Sequence, residues 1–176
     1  MLRDVCASDP SWRVACLRYF NPVGAHDSGL IGEDPQGIPN NLMPFVAKVA
    51  SGELPAVRIF GNDYRTPDGT GVRDYVHVMD LAQGHLAGLR FIERSTGWHP
   101  FNLGTGNGSS VLEVVAAFER ACGKALPREM APRRAGDLAS YYANPARAAT
   151  ELGWRASRTL DQMCDSTWKW IRSRPA

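Results

Sequence analysis

From Val72 to Val78 the chain alternates with period 2, and from Leu81 to Ile92 its apolar residues recur at helical spacing. A strand face repeats every second residue and a helix face every 3.6, so these are two elements joined almost without a loop. The alternation puts Val72, Asp74, Val76 and Val78 on one strand face and Arg73, Tyr75 and His77 on the other. Gly69 and Gly71 precede the strand, where a backbone can turn sharply or pass close to a ligand. Asp80 stands where a helix N-cap belongs. Leu81, Ala82, Leu86, Leu89 and Ile92 mark the buried stripe of a helix ending near Gly97.

The same switch of rhythm recurs along the chain. Arg13 to Phe20 is a compact apolar run stopped by Asn21-Pro22-Val23-Gly24, which predicts a strand buried on at least one face. Asn40 and Asn41 cap a helix through Leu42, Val46, Val49 and Ala50, with Pro44 in its first turn and Gly52 at its end. Val57 to Phe60, Pro100 to Leu103 and Arg128 to Pro132 read as short strands. Ser110 with Glu113, and Thr159 with Gln162, form capping boxes. The first opens a helix buried through Val111, Val114, Val115, Phe118 and Cys122; the second opens one buried through Leu160, Met163, Cys164, Thr167, Trp168 and Ile171. Asn144-Pro145 starts a short helix that Gly153 stops. Strands and helices in alternation predict an α/β fold.

Composition excludes several functions. At 176 residues, 44% hydrophobic and 22% charged, the chain has material for one domain with a real core. Its formal net charge of +2 comes without a basic stripe, Arg133-Arg134 being the one adjacent basic pair, which argues against nucleic acid. Cys6, Cys16, Cys122 and Cys164 have no ligand spacing and the histidines no HExxH, so reduced thiols and no metal site are expected. No leader-like apolar segment follows Met1 and nowhere do eighteen apolar residues run together, so the expected place is the cytoplasm, with no membrane partner.

Arg73, Tyr75 and His77 on one strand face could grip an anionic, ring-bearing ligand, because guanidinium forks match phosphate geometry; the same pattern fits an antiparallel strand with a wet face. Gly104-Thr105-Gly106-Asn107-Gly108 imitates a dinucleotide fingerprint, but Ser109 holds the sixth position, where Gly or Ala is required. It is either a tight turn or an anion site at a helix N-terminus. Arg134 supplies a second guanidinium and Asp137 a partner for sugar hydroxyls, although an arginine pair is commonly a solvated surface feature. Phe60 reads either as core or as a stacking platform for a base.

Leu17-Arg18-Tyr19-Phe20-Asn21-Pro22-Val23-Gly24, Pro39 to Pro44, Phe60-Gly61-Asn62-Asp63-Tyr64, Asp68 to Val78, Asn102-Leu103-Gly104 and Ala131-Pro132-Arg133-Arg134 together resemble the UDP-glucose 4-epimerase family of extended short-chain dehydrogenase/reductases. The resemblance runs in order along nearly the whole chain but covers only the family's back half. It implies interconversion of UDP-glucose and UDP-galactose by reversible NAD-dependent oxidation at C4 of the hexose. It further implies that Tyr19, through its backbone, and Phe20 border the nicotinamide. Asn21, Asn41 and Leu42 would contact the UDP-sugar, Arg58, Ile59 and Phe60 would border the uracil, and Tyr75 would lie nearby. Arg73 and Arg134 would clamp the diphosphate, Asp137 would take the ribose, Val111 would pack on the nucleotide and Tyr141 would wall the hexose. A residue as bulky as Tyr141 goes, in that family, with glucose and galactose rather than N-acetylated sugars.

The chemistry itself is not in this sequence. None of Tyr19, Tyr64, Tyr75, Tyr141 and Tyr142 has Lys four positions later, and no intact glycine fingerprint is present. The expectation is therefore a substrate-binding portion with no catalytic residue of its own, completed by an upstream nucleotide-binding half and dimeric when complete. Residues 1–24 would end the nucleotide-binding domain and 25–176 would form the UDP-sugar domain, with about 72–104 packing back on the nucleotide-binding sheet. The strand at Arg13 to Phe20 would then lack its sheet neighbours, leaving the isolated chain poorly stable or prone to associate.

Overall fold

The strand at residues 72–78 breaks in the middle, and the break organises the molecule. In the computed structural model, which describes residues 1–174, Val72–Arg73 and Tyr75–His77 are separate strands on either side of Asp74, serving different sheets. In chain order the elements are α1 (Leu2–Ser8), β1 (Arg13–Tyr19), β2 (Asn21–Val23), α2 (Leu42–Ser51), β3 (Val57–Phe60), β4 (Val72–Arg73), β5 (Tyr75–His77) and α3 (Val78–Ile92). There follow β6 (Gly97–Leu103), β7 (Ser109–Ser110), α4 (Val111–Cys122), β8 (Arg128–Ala131), β9 (Ser140–Tyr141), a π-helical turn (Ala148–Leu152) and α5 (Leu160–Ser173). The fold is α/β.

Among the described residues four small sheets carry it. β1 pairs with β6 in parallel from Arg13 opposite Gly97 to Tyr19 opposite Leu103. β2 pairs with β5 and β3 with β8, both in parallel, while β4 lies between antiparallel β7 and parallel β9. The expectation that the neighbours of β1 lie outside the chain is thus wrong for one edge. Gly97, at φ 91° and bonded to the Trp12 carbonyl at 2.6 Å, starts a strand longer than the run from Pro100 predicts.

Two apolar clusters hold these pieces. The larger joins α2, β3, α4 and α5 through Val46, Val57, Ile59, Val114, Phe118 and Cys164; the smaller lies between α3 and β6 around Val76, Leu81, Phe91, Phe101 and Leu103. The capping boxes of α4 and α5 form as predicted, and Gly52 ends α2 at φ 90°. Two readings of α3 need correcting. Its N-cap is His77, whose ring accepts from the Met79 amide, so Asp80 falls inside the first turn. Its packed face is Leu81, Gly84, Gly88 and Phe91, leaving Ala82, Leu86 and Leu89 exposed. The two glycines let the helix approach the sheet: a Cβ on Gly84 would stand 2.7 Å from the Leu103 side chain.

Candidate functional site

β3 shows how the sequence aims side chains into the site. Its period-2 alternation buries Val57 and Ile59 in the larger core and turns Arg58 and Phe60 outward. Over Phe60 the guanidinium carbons of Arg58 and Arg134 stand 5.4 and 5.0 Å from the ring centroid, within cation–π range. Phe60 is therefore half-buried in a cleft of about 400 Å³, and Ile59 does not reach that cleft with its side chain.

Arg73 approaches from β4, where it lies opposite Tyr141 of β9. Its Nη1 donates to the Val72 and Leu138 carbonyls, both at 2.8 Å, which fixes the guanidinium plane. Arg134, from the loop after β8, donates through Nε to Asp137 Oδ2 at 2.8 Å, and Arg73 Nη2 lies 3.9 Å from Asp137 Oδ1. Two guanidiniums distant in sequence thus converge on one carboxylate. Asn21, Asn41, Leu42, Tyr75 and Val111 line the same cleft. Asn41 occupies the N-cap of α2 without making a side-chain capping bond, so its amide is not spent on the helix. Burial pushes the Tyr75 phenol up to about 12 against the opposing pull of Arg73, so it stays protonated at neutral pH.

Other predicted residues lie elsewhere. His77 sits on neither the cleft nor its rim: its Nε2 meets Ser166 Oγ at 3.1 Å under α5, and Gly24 packs against its ring. The break at Asp74 turns β5 into another sheet, so the face shared in sequence by Arg73 and His77 does not exist in space. Tyr141 and Phe20 stack on each other, centroids 5.0 Å apart at 24°, outside the residues that line the cleft. The Tyr19 hydroxyl turns to His85 Nε2 at 2.6 Å.

The glycine loop resolves as neither alternative alone. It does bind an anion, and the anion is the chain's own Asp74. That fully buried carboxylate accepts from the amides of Thr105 and Gly106 at 2.9 Å, the Thr105 hydroxyl at 2.6 Å and the Ala143 amide at 3.1 Å. Asp74 thereby ties the strand carrying Arg73 to the segment carrying Tyr141. Its signal in the sequence was a charge on the apolar side of the alternation, between Val72 and Val76. Tyr64 and Ile38, from loops, and Phe45, from α2, also line the cleft and were not singled out as contacts, because no local period marks which positions close over it. Among the described residues no group of three or more His, Cys, Asp or Glu could hold a metal, and no helix is long and apolar enough to cross a membrane.

Comparison with known proteins gives the family of this chain. The chain is 60% identical over 175 residues to a UDP-glucose 4-epimerase of Yersinia pestis, covering 99% of this chain and 52% of that protein. The human UDP-glucose 4-epimerase is 56% identical over 176 residues, 100% of this chain and 51% of the relative. A crystal structure of the Bifidobacterium longum UDP-glucose 4-epimerase with NAD+ and UDP superposes with a TM-score of 0.94 at 57% identity, over 98% of this chain and 51% of that one. The chain spans about half the length of the curated relatives it matches, and it matches their C-terminal half. A family model described as GDP-mannose 4,6 dehydratase fits residues 7–167, so the chain belongs to that family and, within it, is similar to the UDP-glucose 4-epimerases.

Proposed function

We propose that the chain is the UDP-sugar-binding portion of a UDP-glucose 4-epimerase, an isomerase of galactose metabolism that interconverts UDP-glucose and UDP-galactose. The observation that carries this reading is the convergence of Arg73 and Arg134 on Asp137 beside Phe60. Guanidinium forks match the diphosphate, the Phe60 ring with Arg58 offers a face for the uracil, and Asp137 accepts ribose hydroxyls. Asn21, Asn41 and Leu42 hold the remaining sugar and phosphate groups, Tyr75 donates a neutral hydrogen bond, and Val111 packs on the nucleotide. Tyr141 walls the hexose, stacked on Phe20 where the nicotinamide would abut it. NAD supplies reversible hydride acceptance at C4 when bound. The residues here fit only its nicotinamide end, through Phe20 and the backbone of Tyr19; catalytic residues are assigned to none of this chain.

We further assign residues 1–24 to the end of the nucleotide-binding domain and 25–176 to the UDP-sugar domain. The parallel pairing of β1 with β6 and of β2 with β5 supports the return of residues 72–104 to the nucleotide-binding sheet. The complete protein is read as a cytoplasmic homodimer. Calorimetric titration with UDP-galactose, paired with an NAD-dependent turnover assay, tests the reading. Saturable binding without turnover is expected. No binding, or turnover by these 176 residues alone, would overturn it, and tighter binding of GDP-mannose would favour a dehydratase instead.

A further inference from the structure

The two arginines of the cleft already have an anion. Asp137 Oδ2 accepts from Arg134 Nε at 2.8 Å, while its Oδ1 accepts from Arg134 Nη2 at 3.4 Å and lies 3.9 Å from Arg73 Nη2. Arg73 is anchored by two backbone carbonyls, so it cannot swing away from the carboxylate, and the side chains of Arg73 and Asp137 are only 22% and 23% exposed. A phosphate group entering between the guanidiniums must take over hydrogen bonds that Asp137 now accepts, and must sit beside its negative charge. Both effects oppose a simple anion.

We infer that Asp137 makes the cleft selective for ligands that join a diphosphate to hydroxyl donors, and selective against bare phosphate and pyrophosphate. When a diphosphate displaces it, the carboxylate is left at a three-quarters buried position and must find new donors. The hydroxyls of a nucleoside supply them. Pyrophosphate presents acceptors and negative charge and supplies none, so it bears the cost of displacing Asp137 without the return. This rests on reading the cleft as a nucleoside-diphosphate-sugar site and goes beyond a ribose contact: the same side chain that rewards the correct ligand excludes the smaller one.

The test is calorimetric titration at low ionic strength of the 176-residue chain and its Asp137→Asn variant with inorganic pyrophosphate and with UDP. The variant should bind pyrophosphate about tenfold more tightly, the worth of one charge-assisted contact released. Its preference for UDP over pyrophosphate should fall by at least the same factor. A loosened loop would weaken both ligands, so the opposite movement of pyrophosphate separates specificity from structure. Asp137→Ser should show the same sign, and adding Arg134→Ala to Asp137→Asn should abolish the gain. Unchanged or weaker pyrophosphate binding in both single variants, or a gain that survives Arg134→Ala, overturns the inference. Failure of the unsubstituted chain to bind UDP would instead defeat the reading of the cleft, and the pyrophosphate comparison would still stand as its own result.

Discussion

Both apolar clusters of this molecule enclose their central residues, and they differ in the strand that borders each. In the larger one Val46, Val57, Ile59, Val114, Val115, Phe118 and Cys164 are all at 0% exposure, covered from several sides by α2, α4 and α5. In the smaller one β1 contributes no fully buried residue, although Val14, Ala15, Cys16 and Leu17 form an apolar run, and Trp12 and Tyr19 beside them are half exposed. Helix α3 covers β1 and its glycines fit against Leu17 and Leu103, but among the described residues β1 has only β6 as a strand neighbour. One region is a closed core that carries walls of the cleft; the other presents a half-covered strand that ends at Tyr19, next to Phe20 stacked on Tyr141. The proposed diphosphate site therefore borders the larger core, and the edge proposed to meet the nicotinamide lies at the half-covered strand.

Core substitutions sharpen this contrast most. Phe118→Ala should lower stability by about 3–5 kcal/mol, a cavity in a closed core, whereas Leu17→Ala should cost roughly 1–2 kcal/mol because a half-buried side chain loses about half the transfer free energy. Equal losses in denaturant melts would erase the distinction. Thiol alkylation reads the same difference without substitution. Burial pushes the Cys164 thiol up to about 12, and Cys16 on β1 is half-buried, so Cys164 should label at least about a hundredfold more slowly. Comparable rates would mean that the larger core opens as readily as the strand.

At the cleft, Arg73→Ala and Arg134→Ala should each weaken UDP binding by roughly ten- to a hundredfold, since a charged hydrogen bond contributes about 1.5–3 kcal/mol. The melting temperature of the Arg134 variant should hardly move, because that side chain is half exposed and belongs to neither core, whereas the Arg73 variant also loses its bonds to the Val72 and Leu138 carbonyls. The smallest effect concerns pH. Burial first, then Arg158, holds the His77 imidazole below its ordinary value against the pull of Asp80 and Asp27. The unfolded chain takes up that proton near pH 6.5, the folded chain only at lower pH, so stability falls as pH drops below about 6.5. Melting temperatures between pH 7.5 and 5.5 should fall more steeply for the unsubstituted chain than for His77→Gln; parallel slopes would remove His77 as the cause.

What could be read from the sequence was local. The capping boxes at Ser110 and Thr159, the helix stop at Gly52 and the short strand from Val57 to Phe60 depend on neighbours a few residues apart, and they form where expected. The buried face of α3 was misread because glycine carries no hydrophobic signal, while close packing at Gly84 and Gly88 is what the sheet demands. The break at Asp74 was hidden for a related reason: a carboxylate among valines looks like a flaw in an otherwise regular strand until Thr105, Gly106 and Ala143 bring it their donors. For the cleft, residue type alone pointed to Arg73, Arg134 and Asp137, but their assignment to one diphosphate and ribose site rested on the resemblance, because no local period links positions so far apart.

A crystal structure of this chain with UDP tests the account most directly. The diphosphate should lie between Arg73 and Arg134 and the uracil on Phe60, with Asp137 turned from the guanidiniums to the ribose hydroxyls. UDP bound elsewhere, or bound with both arginines still facing Asp137, would contradict it.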